Sequence, residues 1–260
     1  MGKSKDIFAK LSIYIKGALM GLADLLYPER CVCCDKVLGV KEKGCCMDCM
    51  PKLPRIEGNI CMKCGKPMED DGEFCSDCMA HDHFFDRGTA AFIYTGAIRH
   101  SIYRMKFQNR RDYIPFYAQE MVHALWGKIE IWRPELILPI PMHWKKKRQR
   151  GYNQSELLAK RISLMTGIPA ANDLLKCIRK MPDQKKLNRE QRMKNIHGII
   201  EVSKEFPKVR SVLLIDDVYT TGSTVDEVSR VLKHAGVQHV YFVVLCIGKG
   251  KKAVCTATKM

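Results

Sequence analysis

The stretch Val212–Thr224, VLLIDDVYTTGST, decides the fold. Val212, Leu213, Leu214 and Ile215 form an unbroken apolar run, the pattern of a strand buried on both faces of a parallel sheet. Two carboxylates, Asp216 and Asp217, follow where that strand is expected to end. Tyr219 to Thr224 then supply hydroxyls and one glycine, and Val225, Val228, Leu232 and Ala235 recur at helical spacing. Strand, phosphate-sized loop and helix N-terminus in that order predict an α/β fold with its chemistry at the carboxyl end of a strand.

Backbone N–H groups at a helix start carry partial positive charge, so Thr220, Thr221, Gly222, Ser223 and Thr224 read as a cradle for a phosphate monoester. Two acids beside a phosphate would repel it, so Asp216 and Asp217 must serve another part of the ligand. Vicinal ribose hydroxyls suit them, and so does a magnesium ion. There is neither GxxxxGK[ST] nor GxGxxG in this loop. The stretch resembles the phosphoribosyl diphosphate (PRPP) motif of type I phosphoribosyltransferases. That resemblance implies a parallel sheet flanked by helices and a phosphoribosyl ligand bound with Mg. Purine-using members often carry an acid where Thr220 stands, so Thr220 argues against purine salvage.

At 260 residues with 46% hydrophobic content, the chain fills one α/β domain and a small satellite. Its formal charge is +16 and uneven, with fifteen Lys and Arg against four Asp and Glu between Pro141 and Ile200. Such a segment faces a polyanion or a highly anionic ligand. Of thirteen cysteines, eight form four CxxC pairs: Cys31 and Cys34, Cys46 and Cys49, Cys61 and Cys64, Cys75 and Cys78. Each pair presents two sulfurs from one tight turn, so the four pairs predict up to two structural zinc sites and a reducing, cytoplasmic location. Pairing is sequential or interleaved, and spacing does not choose. Cys33 and Cys45 are extra thiols that blur the ligand set of the first site.

Ile7 to Leu26 reads as an amphipathic helix that either packs on the chain's own domain or lies on a membrane surface or partner. No apolar stretch is long enough to span a membrane, and no secretory signal is expected. Strands are predicted over Thr89 to Tyr94, Pro134 to Pro141, Leu174 to Lys180, His197 to Val202 and His239 to Cys246. Helices are predicted over Ala97 to Phe107 and Tyr113 to Trp126. Lys145, Lys146, Lys147, Arg148 and Arg150 read as a basic loop after a strand, ahead of a helix starting at Asn153 to Ser155. Pro182 to Asn195 reads as a polar loop carrying Lys185, Arg189 and Arg192.

The CxxC pairs, the segment PIPMHWKKKRQRGYNQSELLAK and VLLIDDVYTTGST together resemble the ComF family of competence proteins, phosphoribosyltransferase-like chains with an N-terminal zinc ribbon. Gln184, Leu187, Arg192 and Asn195 fall in that family's pattern, although its usual threonines are missing here. The chain so read divides into an N-terminal amphipathic helix over residues 1–30, a double ribbon over 31–80, an α/β domain over 87–248 and a basic tail over 249–260. The resemblance implies work on single-stranded DNA in natural transformation, alongside the DNA-uptake machinery. Tyr152 neighbours Lys145 to Arg150, and Phe107 and Tyr113 neighbour a second basic run of Arg104, Lys106, Arg110 and Arg111, so these rings are candidates to stack on bases. The alternative is an active transferase displacing pyrophosphate from PRPP and Mg. In either case Lys145 to Arg150, Asn153, Gln154, Lys185, Arg189 and Arg192 would meet phosphate, while no residue is marked as catalytic.

Overall fold

The computed structural model describes residues 28–179 and 196–249. The expected N-terminal helix, the 182–195 stretch with Lys185, Arg189 and Arg192, and residues 250–260 lie outside the described residues. Contacts divide the chain between Lys52 and Leu53 into two units. In the smaller, the Cys31–Cys34 turn is closed by the Asp35 N–H donating to the Cys31 carbonyl at 2.9 Å, with Asp35 in the left-handed region at φ 62°. An isolated bridge between Arg30 and Val37 flanks that turn.

In the larger unit, α1 (Ser76–Ala80) precedes β1 (Arg87–Ile93), α2 (Gly96–Phe107), α3 (Ile114–Leu125) and α4 (Lys128–Trp132). Next come β2 (Leu136–Pro139), α5 (Trp144–Arg150), α6 (Gln154–Thr166), β3 (Leu175–Cys177) and β4 (Ile200–Val202). The unit ends with β5 (Ser211–Tyr219), α7 (Ser223–His234) and β6 (His239–Ile247). The main sheet runs β1-β6-β5-β2 with every pair parallel. β3 and β4 form a separate antiparallel pair.

The apolar run of β5 is buried on both faces because helices cover both. Val212 and Leu214 join a core with Val225, Val228 and Leu232 of α7. Leu213 and Ile215 alternate with them and take the opposite face. There α6 packs on β2 and β5, and α3 on β1 and β6.

The structure departs from the sequence reading at the end of β5. The strand runs through both acids to Tyr219, because β6 continues beside it as far as the Tyr219↔Ile247 pair. On the other side β2 stops at Pro139↔Ile215, so the ladder is open beside Asp216 and Asp217. The second ribbon is seated on β1. The Gly88 N–H donates to the Lys63 carbonyl at 2.9 Å, and Gly65 sits at φ +75°, where a Cβ would lie 2.7 Å from the Gly88 oxygen. Only glycine permits that approach of two backbones.

Candidate functional site

Three helices bring charge to the open edge of β5. Lys106, in the last turn of α2, places Nζ 2.8 Å from Asp217 Oδ1. Ser155, in the first turn of α6, donates its hydroxyl to Asp216 Oδ1 at 3.0 Å, and the Asp217 N–H donates to the same oxygen at 2.8 Å. Burial, and then the neighbouring Asp217 carboxylate, push the Asp216 carboxyl up to about 7. The sequence reading gave Lys106 to a basic run facing a phosphate backbone and did not pair it with Asp217. Lys106 lies 111 positions before Asp217, and the one available signal was a cation closing a helix that leaves the carboxyl end of a strand.

Lys145 to Arg150, expected as a loop, form α5. Lysine and arginine are good helix formers, and both ends are capped. The His143 ring accepts the Lys145 N–H at 3.3 Å, and Gly151 at φ +84° closes the helix with its N–H on the Lys147 carbonyl. Helical spacing then splits the charge. Lys146 and Arg150, four residues apart, share the electrostatic environment of the acid pair, and burial lowers the pKa of each. Lys147 turns to Glu156, 2.7 Å away, while Lys145 lies over the Trp144 ring.

The RGYNQ segment is a rigid corner between α5 and α6. Arg150 donates to Gln154 Oε1 at 2.5 Å and lies 5.3 Å from the centroid of the Phe107 ring. The Asn153 side chain accepts the Ser155 N–H and donates to the Ile140 carbonyl at 3.0 Å, tying the start of α6 to the end of β2. Asn153 and Gln154 are both buried in this corner. The base-stacking role expected of Tyr152 and Tyr113 is corrected. Tyr152 is 5% exposed, with its hydroxyl on the Met105 carbonyl and Arg111 over its ring, and Tyr113 is fully buried. Phe107 is 61% exposed, next to Tyr103 at 4.8 Å, and the exposed Trp144 was not anticipated.

The TTGST loop is held from below. Gly222 caps α7 at φ +76°, where a Cβ would run into the Tyr219 hydroxyl. Thr221 and Ser223 hydroxyls lie 2.9 Å apart, and Thr220 is exposed at the loop's tip. The Tyr219 ring stacks on Phe242, and Lys66 of the second ribbon, 3% exposed and paired with Asp77, lies over it at 5.6 Å. The second ribbon therefore props the floor of the TTGST loop.

The cysteines cluster in sequential pairs: Cys31, Cys34, Cys46 and Cys49 in one group, Cys61, Cys64, Cys75 and Cys78 in the other. Within each group all Sγ atoms lie within 4.8 Å of one another. A tetrahedral zinc site with Zn–S of about 2.3 Å needs sulfurs about 3.8 Å apart. Cys34 and Cys46 are 3.8 Å apart, and Cys64 and Cys75 are 3.7 Å apart. Both groups fit closed, structural zinc. Metal analysis of the purified chain is expected to give two zinc ions, one per four-thiol group. A value below one would refute the assignment of both.

A parallel sheet with an acid pair and hydroxyl loop at its carboxyl edge, in one chain with two four-cysteine groups, defines a phosphoribosyltransferase-like protein with a double zinc ribbon. Residues 22–79 match the double zinc ribbon domain family and residues 157–257 the phosphoribosyl transferase domain family. The chain is 30% identical to competence protein F of Haemophilus influenzae, over 81% of this chain and 93% of that protein. It is 26% identical to the DNA utilization protein YhgH of Escherichia coli K12, over 85% of this chain and 98% of that one. An adenine phosphoribosyltransferase structure from Thermoanaerobacter pseudethanolicus is similar at 14% identity and a TM-score of 0.34, covering 54% of this chain and 83% of that one. The chain belongs to the ComF family of competence proteins. No helix among the described residues is long and apolar enough to cross a membrane.

Proposed function

We propose that this chain handles single-stranded DNA in natural transformation, using a phosphoribose pocket to seat one nucleotide and a cationic, aromatic strip to hold the strand. The observation that carries the reading is the split of charge along α5. Lys146 and Arg150 share the electrostatic environment of the acid pair; Lys146 is exposed together with Lys145, Lys147 and Arg148, and Lys145 lies over the Trp144 ring. One pyrophosphate does not need that outer set, whereas a phosphate backbone does. Phe107 and Tyr103 offer stacking faces worth about 1 to 3 kcal/mol per base. The names of the two relatives, a competence protein and a DNA utilization protein, agree with a role on DNA. In the pocket, Asp216 and Asp217 take ribose hydroxyls and Thr220 to Thr224 take the 5-phosphate. When PRPP is the ligand, the same acids hold Mg, which neutralises the diphosphate charge.

Binding of short oligonucleotides is expected to prefer single strands, to ignore sequence and to weaken with salt, with a slope of roughly 0.7 per phosphate neutralised. Changing Lys145, Lys147 and Arg148 together to Glu should abolish it and leave ribose 5-phosphate binding intact. Arg150 is kept because it lies on the pocket side. Asp217→Asn should do the reverse, weakening ribose 5-phosphate or PRPP by about 1 to 3 kcal/mol. If the triple variant loses PRPP and keeps the oligonucleotide, α5 serves a transferase and the proposal fails.

A further inference from the structure

The first ribbon holds more thiols than one zinc uses. Cys31, Cys33 and Cys45 form a second group whose Sγ atoms all lie within 4.8 Å of one another, and all three are buried. Cys31 is common to both groups, with its sulfur 3.9 Å from that of Cys45. The backbone explains the arrangement. Cys33 and Cys34 are neighbours in one turn and Cys45 and Cys46 in the other, so each turn sends one sulfur to the zinc group and one to the second group.

We propose that Cys31, Cys33 and Cys45 form a three-thiolate site that takes one soft monovalent cation, of the copper(I) type, beside the zinc and sharing Cys31 with it. Among the described residues no fourth Cys, His, Asp or Glu joins this group. Three sulfurs without a fourth ligand do not satisfy zinc, which closes structural sites with four. All-thiolate, low-coordinate surroundings select Cu(I) over hard cations. On binding, the Cys33 and Cys45 thiols each release one proton to solvent, and the zinc-bound Cys31 thiolate becomes a bridge. Copper enters and stays monovalent, so no electron is transferred.

The test is an anaerobic titration of the full, zinc-loaded chain with a Cu(I)–acetonitrile complex, with a chromophoric zinc indicator present. Wild type is expected to bind the first equivalent with copper–thiolate luminescence and no zinc release. Cys33→Ser/Cys45→Ser should keep both zinc ions until copper is added and release zinc with the first equivalent, because only the zinc-holding thiolates of the ribbon remain to take it. Cys33→Ser alone, a smaller perturbation, should behave in the same way. Zinc released by the first equivalent in wild type would overturn the proposal, because the three thiols would then be only an alternative ligand set for one metal. A first equivalent bound without zinc release in the single and double variants would place the copper elsewhere and overturn it equally. Loss of a zinc ion from both variants before any copper is added would make Cys33 and Cys45 zinc ligands, with the same result.

Discussion

Replacing Gly88 by Ala is expected to destabilise the larger unit by about 3 kcal/mol or more, at the top of the range for overpacking a core. A Cβ on Gly88 would fall inside the Phe242 ring. That ring has nowhere to go, because Tyr219 stacks on it at 4.9 Å and Phe85 meets it edge-on at 4.9 Å. Relief must come from β1, and β1 carries the second ribbon through Gly88, Lys63 and Gly65. The variant should therefore melt earlier and lose zinc from Cys61, Cys64, Cys75 and Cys78 more readily. Phe242→Leu opens room for the methyl group, so Gly88→Ala/Phe242→Leu should be more stable than the two separate losses predict. The measurement is a double-mutant cycle by denaturant unfolding. Additive losses would show that the ring is not what excludes a side chain at Gly88.

The path from Gly88 to the ribbon also marks how much the sequence disclosed. The motif Val212–Thr224 announced its strand, loop and helix because burial on both faces, a hydroxyl loop and helical spacing are local patterns. The CxxC turns were equally legible, although only the fold could pair them, since pairing depends on which turns meet. Five cations in Lys145–Arg150 suggested a loop, because such a run is solvated rather than core and carries no apolar period. Glu156 and the acid pair lie across the corner made by Gly151, and they make the helix tolerable. Tyr152 looked available beside that charge, and a hydroxyl partner 47 positions earlier, the Met105 carbonyl, buries it. The pairing of Lys106 with Asp217 was invisible for the same reason, since it is set by where α2 ends relative to β5. What the sequence withheld was long-range contact between charged groups, which leaves no periodic trace.

One such contact has a large expected effect on stability. Asp216 shares its edge with Asp217, and its carboxyl rises from 3.8 to about 7 through burial first and the neighbouring charge second. A raised folded-state pKa means the folded chain favours the protonated acid. The stabilising difference is fully present below pH 3.8 and is lost as the pH climbs through 7. At about 1.4 kcal/mol per unit the upper bound is about 4 kcal/mol, and access of solvent to the edge brings the expectation to about 2 kcal/mol or more. Asp216→Asn removes the charge and keeps the oxygen that accepts from Ser155 and from the Asp217 N–H. In ligand-free, magnesium-free buffer the variant should unfold at a higher temperature than wild type at pH 8. The two should converge near pH 4, where the wild-type acid is protonated. On the proposed phosphoribose reading of this edge, the same substitution should also weaken ribose 5-phosphate binding. Equal melting temperatures across pH 4 to 8 would mean that neither burial nor the neighbouring carboxylate raises the Asp216 carboxyl in the folded chain.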